Sequence, residues 1–337
     1  MTYSGRSLTA RLYSSGAVLT TYEWMSNVGS LIAAIINNAT KDRQSRSSWQ
    51  IPISIGFIWA FTLGVGMIIV PESPRWLMSK KRDKDAIRAL SRLTSLPPDH
   101  PEIQAELEEI RLSLLQEEEM NKSSYLDCFR PSNNQTCFRT CTGILIPILL
   151  NLCGATFIYY YGTVFFLNSG IKKPFVITII TSTTTVVMTL PGLWGVQVFG
   201  RRKLLYVGSI STCICQFIVA IVGLTVSASN TTGQRILVAF VCIYLACFAF
   251  TWAPLSWVIL GEIFPLNLRA KAASLALASS WVWNWAVGYS APYLLNKQPG
   301  SAGLGVKVFF IWGTVCAGCV LFTYFCIPEV SFGFIHR

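Results

Sequence analysis

Uncharged apolar runs of membrane-spanning length recur along this chain. Seven stretches contain no Asp, Glu, Lys or Arg, lying within 51–70, 143–170, 174–200, 204–234, 236–261, 272–296 and 308–328. A helix needs about 20 apolar residues to cross a bilayer, and all seven are that long. An eighth, 12–40, is interrupted by one charge, Glu23. Gly, Ser and Thr recur inside the runs, and such small residues let helices approach closely in lipid. The pattern predicts an all-α membrane protein with about eight transmembrane helices.

Between the second and third runs the pattern changes. Residues 71–142 hold 12 of the 16 acidic and 11 of the 27 basic residues. Two amphipathic helices are readable there. In the second, Pro101 suits a first helical position, and Ile103, Leu107, Ile110 and Leu114 form one apolar stripe. The stripe is expected to pack on the cytoplasmic ends of the spans, with the charges forming a solvated face.

Composition narrows the class. Hydrophobic residues make up 52% and charged residues 13%, against roughly 25% charged in soluble domains. Mean hydropathy is +0.49. Disorder is excluded and a soluble enzyme disfavoured. The net charge of +11 raises nucleic acid as a partner, but the basic residues lie between apolar runs, so they report topology and no nucleic acid is expected. Eight spans place both ends on one side. With 71–142, Arg201–Lys203 and Arg269–Lys271, that side holds 19 Lys and Arg against 8 on the other, and it is therefore expected to be cytoplasmic. None of the 11 Cys falls in an expected external loop, so structural disulfides are not expected. Residues 1–11 are polar, and no signal peptide is expected.

A repeat links the first two spans to the last two. Trp24-x-x-Asn27 precedes Pro71-Glu72 by the same 44 positions that separate Trp281-x-x-Asn284 from Pro328-Glu329. A duplicated half is a common ancestry for transporters. On that reading the second copy has six spans and the first only two, so four spans are expected to be missing before Met1.

The motifs then identify a family. Pro71-Glu-Ser-Pro-Arg-Trp-Leu77, Gly200-Arg-Arg202, Trp252-Ala-Pro-Leu-Ser-Trp257, Gly261-Glu-Ile-Phe-Pro265, Arg269-Ala-Lys271 and Tyr160-Tyr-Gly162 together closely resemble the sugar porters of the major facilitator superfamily. The likeness is strongest to the fungal hexose transporter branch. The resemblance implies a partial major facilitator fold, truncated at its N-terminal end. Its expected parts are 1–70, the last two helices of an N-terminal half; 71–142, a cytoplasmic helical linker; 143–328, a six-helix C-terminal half; and 329–337, a short cytoplasmic tail.

The resemblance also implies site residues. A sugar presents hydroxyls on its rim and C–H faces above and below, so its site needs amides and hydroxyls together with an aromatic plate. Trp257 matches the family's sugar-contacting tryptophan and Asn284 a sugar-binding amide. Asn151, Thr156, Tyr160, Thr185 and Trp281 complete the expected contacts. Leu150 stands where the family has a glutamine, which thins the polar rim. Glu23, the one ionisable residue inside a span, aligns with another family glutamine. An intramembrane carboxylate is a functional candidate by default, and here it can bind a hydroxyl or exchange a proton. Glu72, Arg75, Arg201, Arg202, Glu262 and Arg269 match an ion-pair cluster that latches the two halves and releases them as the carrier turns over.

The function implied is alternating-access transport of a hexose-like monosaccharide, facilitative or proton-coupled, in a multi-pass protein of the plasma membrane. The expected partners are the sugar, protons and the lipid bilayer. The alternative is a truncated, non-transporting membrane protein or a sugar sensor-like relative. An enzyme is poorly supported: the two His, His100 and His336, lie outside the spans, and no nucleotide loop, metal ligand set or cofactor motif is visible.

Overall fold

The computed structural model describes the backbone of residues 3–120, 124–130, 135–225, 230–265, 268–295 and 301–327, and their side chains from Thr21 onward except 116–120 and 197. Among the described residues, thirteen α-helices follow in order: α1 Tyr3–Thr40, α2 Ser47–Ile69, α3 Pro74–Ser79, α4 Asp83–Thr94, α5 Pro101–Met120, α6 Thr136–Leu152, α7 Ala155–Asn168, α8 Pro174–Phe199, α9 Arg201–Thr225, α10 Thr231–Phe250, α11 Trp252–Ile263, α12 Arg269–Leu295 and α13 Val308–Cys326. The expected tail 329–337 and the second Pro328-Glu329 pair lie outside the described residues.

The chain divides into two compact units. The first comprises 1–39, 128–265 and 269–337. Its principal helix pairings are α9 with α13, α8 with α10, α9 with α10, and α6 with α12. Its core holds Phe157, Phe165, Leu205, Tyr244, Trp252 and Phe309, with Phe165 and Phe309 rings 5.0 Å apart.

Two expected spans turn out to be broken helices. The run 143–170 divides into α6 and α7 at Cys153–Gly154, where Gly154 takes φ +99°. That left-handed conformation suits glycine. A Cβ there would meet Gln216 Nε2 at 2.8 Å and Trp312 Cγ at 2.9 Å. The run 236–261 divides into α10 and α11 at Thr251. Pro254 explains this break, since proline lacks an N–H and its ring clashes with the carbonyl four residues back, that of Phe250. Gly192 of α8 lets the helices meet there, because a Cβ would lie 2.8 Å from Phe250 O.

The second unit comprises 40–127 with 266–268. Here α3, α4 and α5 bury Leu77, Met78, Ala86, Ala89, Leu90, Ile103 and Leu107, with Ile110 and Leu114 packed against them. The stripe read from the sequence is real. Within the unit it packs on α3 and α4, short helices that supply an apolar face of their own. Ser95 takes φ 58° at the C-cap of α4, a left-handed stop. The Arg82–Asp85 and Arg111–Asp83 ion pairs are exposed and contribute little. Helix α2 buries none of its residues and is apolar all round, as expected of a helix in lipid.

Six helical stretches among the described residues are long and apolar enough to cross a membrane: Ser47–Ile69, Thr136–Asn168, Pro174–Val196, Arg201–Thr225, Thr231–Ile263 and Gly305–Cys326. The other two expected spans, α1 and α12, run to 38 and 27 residues. They are long enough but more polar, and Glu23, Ser26, Asn27 and Ser30 of α1 and Ser280 and Asn284 of α12 line the cavity described below.

Replacing Gly154 with Ala forces a side chain into the left-handed region and onto two buried neighbours. A loss of roughly 2–4 kcal/mol is expected, read as a lowered thermal unfolding midpoint in detergent. Gly64→Ala, with nothing within 4 Å of its Cβ, is expected to be neutral. Equal midpoints for the two variants would show that the break does not depend on Gly154.

Candidate functional site

The breaks create the site. Cys153 O, set free where α6 ends, accepts from Gln216 Nε2 (3.0 Å) and Tyr244 Oη (2.9 Å). Gln216, Tyr244 and Cys153 are all buried. The backbone is thereby held behind the break, and the side chains just before and after it face a cavity.

Asn151 is the hub of that face. Its Nδ2 donates to Pro147 O (2.8 Å) and to Ser280 Oγ (3.0 Å). Its Oδ1 accepts from Asn284 Nδ2 (2.9 Å) and Thr156 Oγ1 (3.3 Å). Asn284 Oδ1 in turn accepts from Tyr160 Oη (3.0 Å). Pro147 matters twice: its ring interrupts the regular ladder of α6, and its carbonyl anchors the Asn151 amide. One connected network thus joins α6, α7 and α12.

Opposite this network, Trp257 of α11 donates its indole N–H to Glu23 Oε2 of α1 at 3.2 Å. Helix α1 is fixed further along by Trp24 Nε1 on Val186 O (3.2 Å) and Asn27 Nδ2 on Thr189 Oγ1 (3.4 Å) of α8. The carboxylate therefore sits on a helix held at several points, with its indole partner on the segment after the second break.

These groups line one cavity of about 680 Å³. Of the residues picked from the sequence, Glu23, Asn151, Thr156, Tyr160, Trp257, Trp281 and Asn284 line it together. Thr185 does not. It is buried in α8 and donates to Ser182 O at 2.8 Å. Leu150, which lacks a hydrogen-bonding group, forms part of the apolar wall with Phe248 and Leu260. Sequence reasoning missed Tyr22, Asn27, Tyr159 and Ser280. A signal existed for two of them: Asn27 follows Glu23 by four positions and Ser280 precedes Asn284 by four, so each shares the face of a residue already chosen. A cavity with a carboxylate, amides, hydroxyls and aromatic rings can hold a polyhydroxylated ring by edge hydrogen bonds and face stacking.

Within the first unit, Arg201, Arg202 and Arg269 have different surroundings. Arg201 Nη2 pairs with Glu262 Oε1 at 2.9 Å. Arg202 donates to Tyr324 O at 2.7 Å and stands 5.8 Å over the Tyr324 ring. Arg269, expected in the same cluster, lines the central cavity. Glu72 lies just before α3 and Arg75 within it, both in the second unit.

Comparison with known proteins fits this architecture. The family described as Sugar (and other) transporter matches residues 9–335. The chain is 41% identical to the major facilitator-type transporter ecdD of Aspergillus rugulosus, over 97% of this chain and 61% of that protein. It is 36% identical to the probable glucose transporter rco-3 of Neurospora crassa, over 94% of this chain and 54% of that protein. It is 33% identical to the high glucose sensor RGT2 of Saccharomyces cerevisiae, over 93% of this chain and 41% of that protein. The xylose transporter XylE from E. coli, in a partially occluded inward open conformation, superposes with a TM-score of 0.72 at 23% identity, covering 94% of this chain and 64% of that one. The chain belongs to the sugar transporter family, the sugar porters of the major facilitator superfamily, and is a multi-pass membrane protein with part of that fold. It spans between 41% and 61% of the length of these relatives.

The network makes a quantitative demand. Asn151→Ala leaves the Asn284 amide and the Thr156 hydroxyl without their buried partner, at an expected cost of about 2 kcal/mol. Asn284→Ala added to it is expected to cost less than the sum of the single changes, by ~1 kcal/mol. Unfolding midpoints of the four proteins in detergent give the cycle, and strict additivity would contradict a shared network.

Proposed function

We propose that this chain binds a hexose-like monosaccharide in the central cavity and belongs to a carrier that moves it across the plasma membrane by alternating access. The observation that carries this is the pairing of Trp257 with the Asn151–Asn284–Tyr160 network across one cavity. Trp257 supplies the plate for a sugar face. Asn284, Asn151, Tyr160 and Thr156 supply donors and acceptors for the hydroxyl rim, and Trp281 a second apolar wall. Thr185 supports α8 behind them.

Glu23 is proposed to accept a hydrogen bond from a sugar hydroxyl through the oxygen that Trp257 does not use, and to be where a proton enters if transport is proton-coupled. The Arg201–Glu262 pair, with Arg202, Arg269, Glu72 and Arg75, is proposed as the gate on the cytoplasmic side. In this reading 71–142 is a cytoplasmic linker between 1–70, the end of one half, and 143–328, a complete second half with the tail 329–337. The protein's work is transport, without catalytic chemistry.

A sensor reading shares the binding step and is favoured by the similarity to a glucose sensor. The two separate in liposomes, where a carrier equilibrates labelled glucose and a sensor only binds it.

Trp257→Ala removes the stacking plate. Glucose binding by the purified protein, followed by calorimetry, is expected to weaken about 10–100-fold, while Trp257→Phe retains most of it. Unchanged glucose affinity in Trp257→Ala would assign Trp257 to packing alone.

A further inference from the structure

The second unit segregates its charge. Residues 80–92 carry six Lys and Arg against two Asp, whereas α5 carries seven Glu against Arg111 alone. On α4 the basic residues are also ordered in space. Ala86, Ala89 and Leu90 turn inward, so Lys84, Arg88 and Arg92, spaced four apart, form a stripe on the opposite face. Lys80 and Lys81 precede it. The two acids within the run do not neutralise it. Asp85 lies 2.8 Å from Arg82 and 3.6 Å from Arg88, and Asp83 is taken by Arg111 of α5 at 3.2 Å. Lys80, Lys81, Lys84 and Arg92 make no ion pair among the described residues.

Membrane topology alone does not require this order. The positive-inside rule counts basic residues near span ends wherever they point. It asks neither for one basic helix face nor for acids gathered on the next helix. The stripe also has a fixed place in the chain. Residues 70–82 are all that separate α2 from α4, and six of them form α3. That tether is at most about 35 Å long, and α2 is long and apolar enough to cross a membrane. A polybasic segment directly after a membrane helix is drawn to anionic headgroups, by roughly fivefold in affinity per charge, and the attraction fades within a Debye length.

We propose that the Lys84–Arg88–Arg92 face of α4, with Lys80 and Lys81, docks on anionic phospholipid headgroups of the leaflet on the linker's side. Like charge keeps the acidic helix α5 off the same surface. This deepens the reading of 71–142 as a cytoplasmic linker, since the cytoplasmic leaflet is the one that carries anionic lipid. The attachment is made by charge without apolar insertion, so it is released by salt.

The test places the purified full chain in nanodiscs of phosphatidylcholine, alone or with about one-third phosphatidylserine. The discs carry the serine lipid on both faces, so the outcome does not depend on which side the linker occupies. Backbone amide exchange across 83–94, read by mass spectrometry, is expected to slow about tenfold in the serine-containing discs. It is expected to return to the phosphatidylcholine rate in ~1 M salt. Lys84→Gln/Arg88→Gln/Arg92→Gln is expected to exchange alike in both discs. Lys84→Arg/Arg88→Lys/Arg92→Lys, which keeps every charge, is expected to keep the difference and guards against a folding defect. Equal exchange of the native chain in the two discs would overturn the proposal. So would slowing that survives in the glutamine variant. Slowing by soluble glycerophosphoserine in phosphatidylcholine discs would overturn it too, by marking a phosphate site in place of a lipid surface.

Discussion

A helix in a bilayer must satisfy its own backbone, since lipid offers no hydrogen bonds. Breaking one therefore requires side chains that take over the released groups. In this protein that constraint falls on Cys153 O, which Gln216 and Tyr244 hold from α9 and α10. Glycine at 154 makes the turn possible, and the tight contact with Gln216 and Trp312 leaves no room for another residue. The break turns Asn151, Thr156 and Tyr160 toward one space. The second break, at Thr251, aims Trp257 across it. Without these two interruptions α6–α7 and α10–α11 would be plain apolar rods, and the polar residues they carry would have no cavity to share.

The polar network follows from the same economy. Asn151 and Thr156 are buried beside a discontinuous backbone, and Asn284 and Ser280 come from the long helix α12. Each group finds a partner within the network, so the amides are held in fixed orientation before any ligand arrives. Preorganisation of this kind lowers the ordering cost of binding. Glu23 is the exception in kind: a carboxylate whose observed partner is the neutral indole of Trp257. It gives the cavity its one acidic group among the described lining residues, opposite the amides and beside the aromatic wall.

Much of this was legible in the residue pattern. The apolar runs gave the helices, the amphipathic stripe gave the linker core, and the motif residues gave seven side chains that meet in one cavity. The pattern failed where a single residue acts through three-dimensional context. Gly154 inside an apolar run reads as any small membrane residue, and only its φ and its neighbours mark it as a break. Pro254 was a readable stop, hidden by the continuity of apolar residues around it. Thr185 is expected in the site through the family resemblance alone, yet its hydroxyl is taken up by α8 itself. The periodicity of the α5 stripe shows an apolar face without showing that α3 and α4 cover it.

The central claim is that the space between the two helix breaks is where sugar binds. Photo-crosslinking with a diazirine-bearing hexose, followed by peptide mapping, tests it directly. The account predicts label on peptides carrying Glu23–Ser30, Asn151–Tyr160, Trp257–Gly261 or Ser280–Asn284, competed away by unlabelled glucose. Label confined to α2 or α13, or label that glucose does not compete, would contradict it.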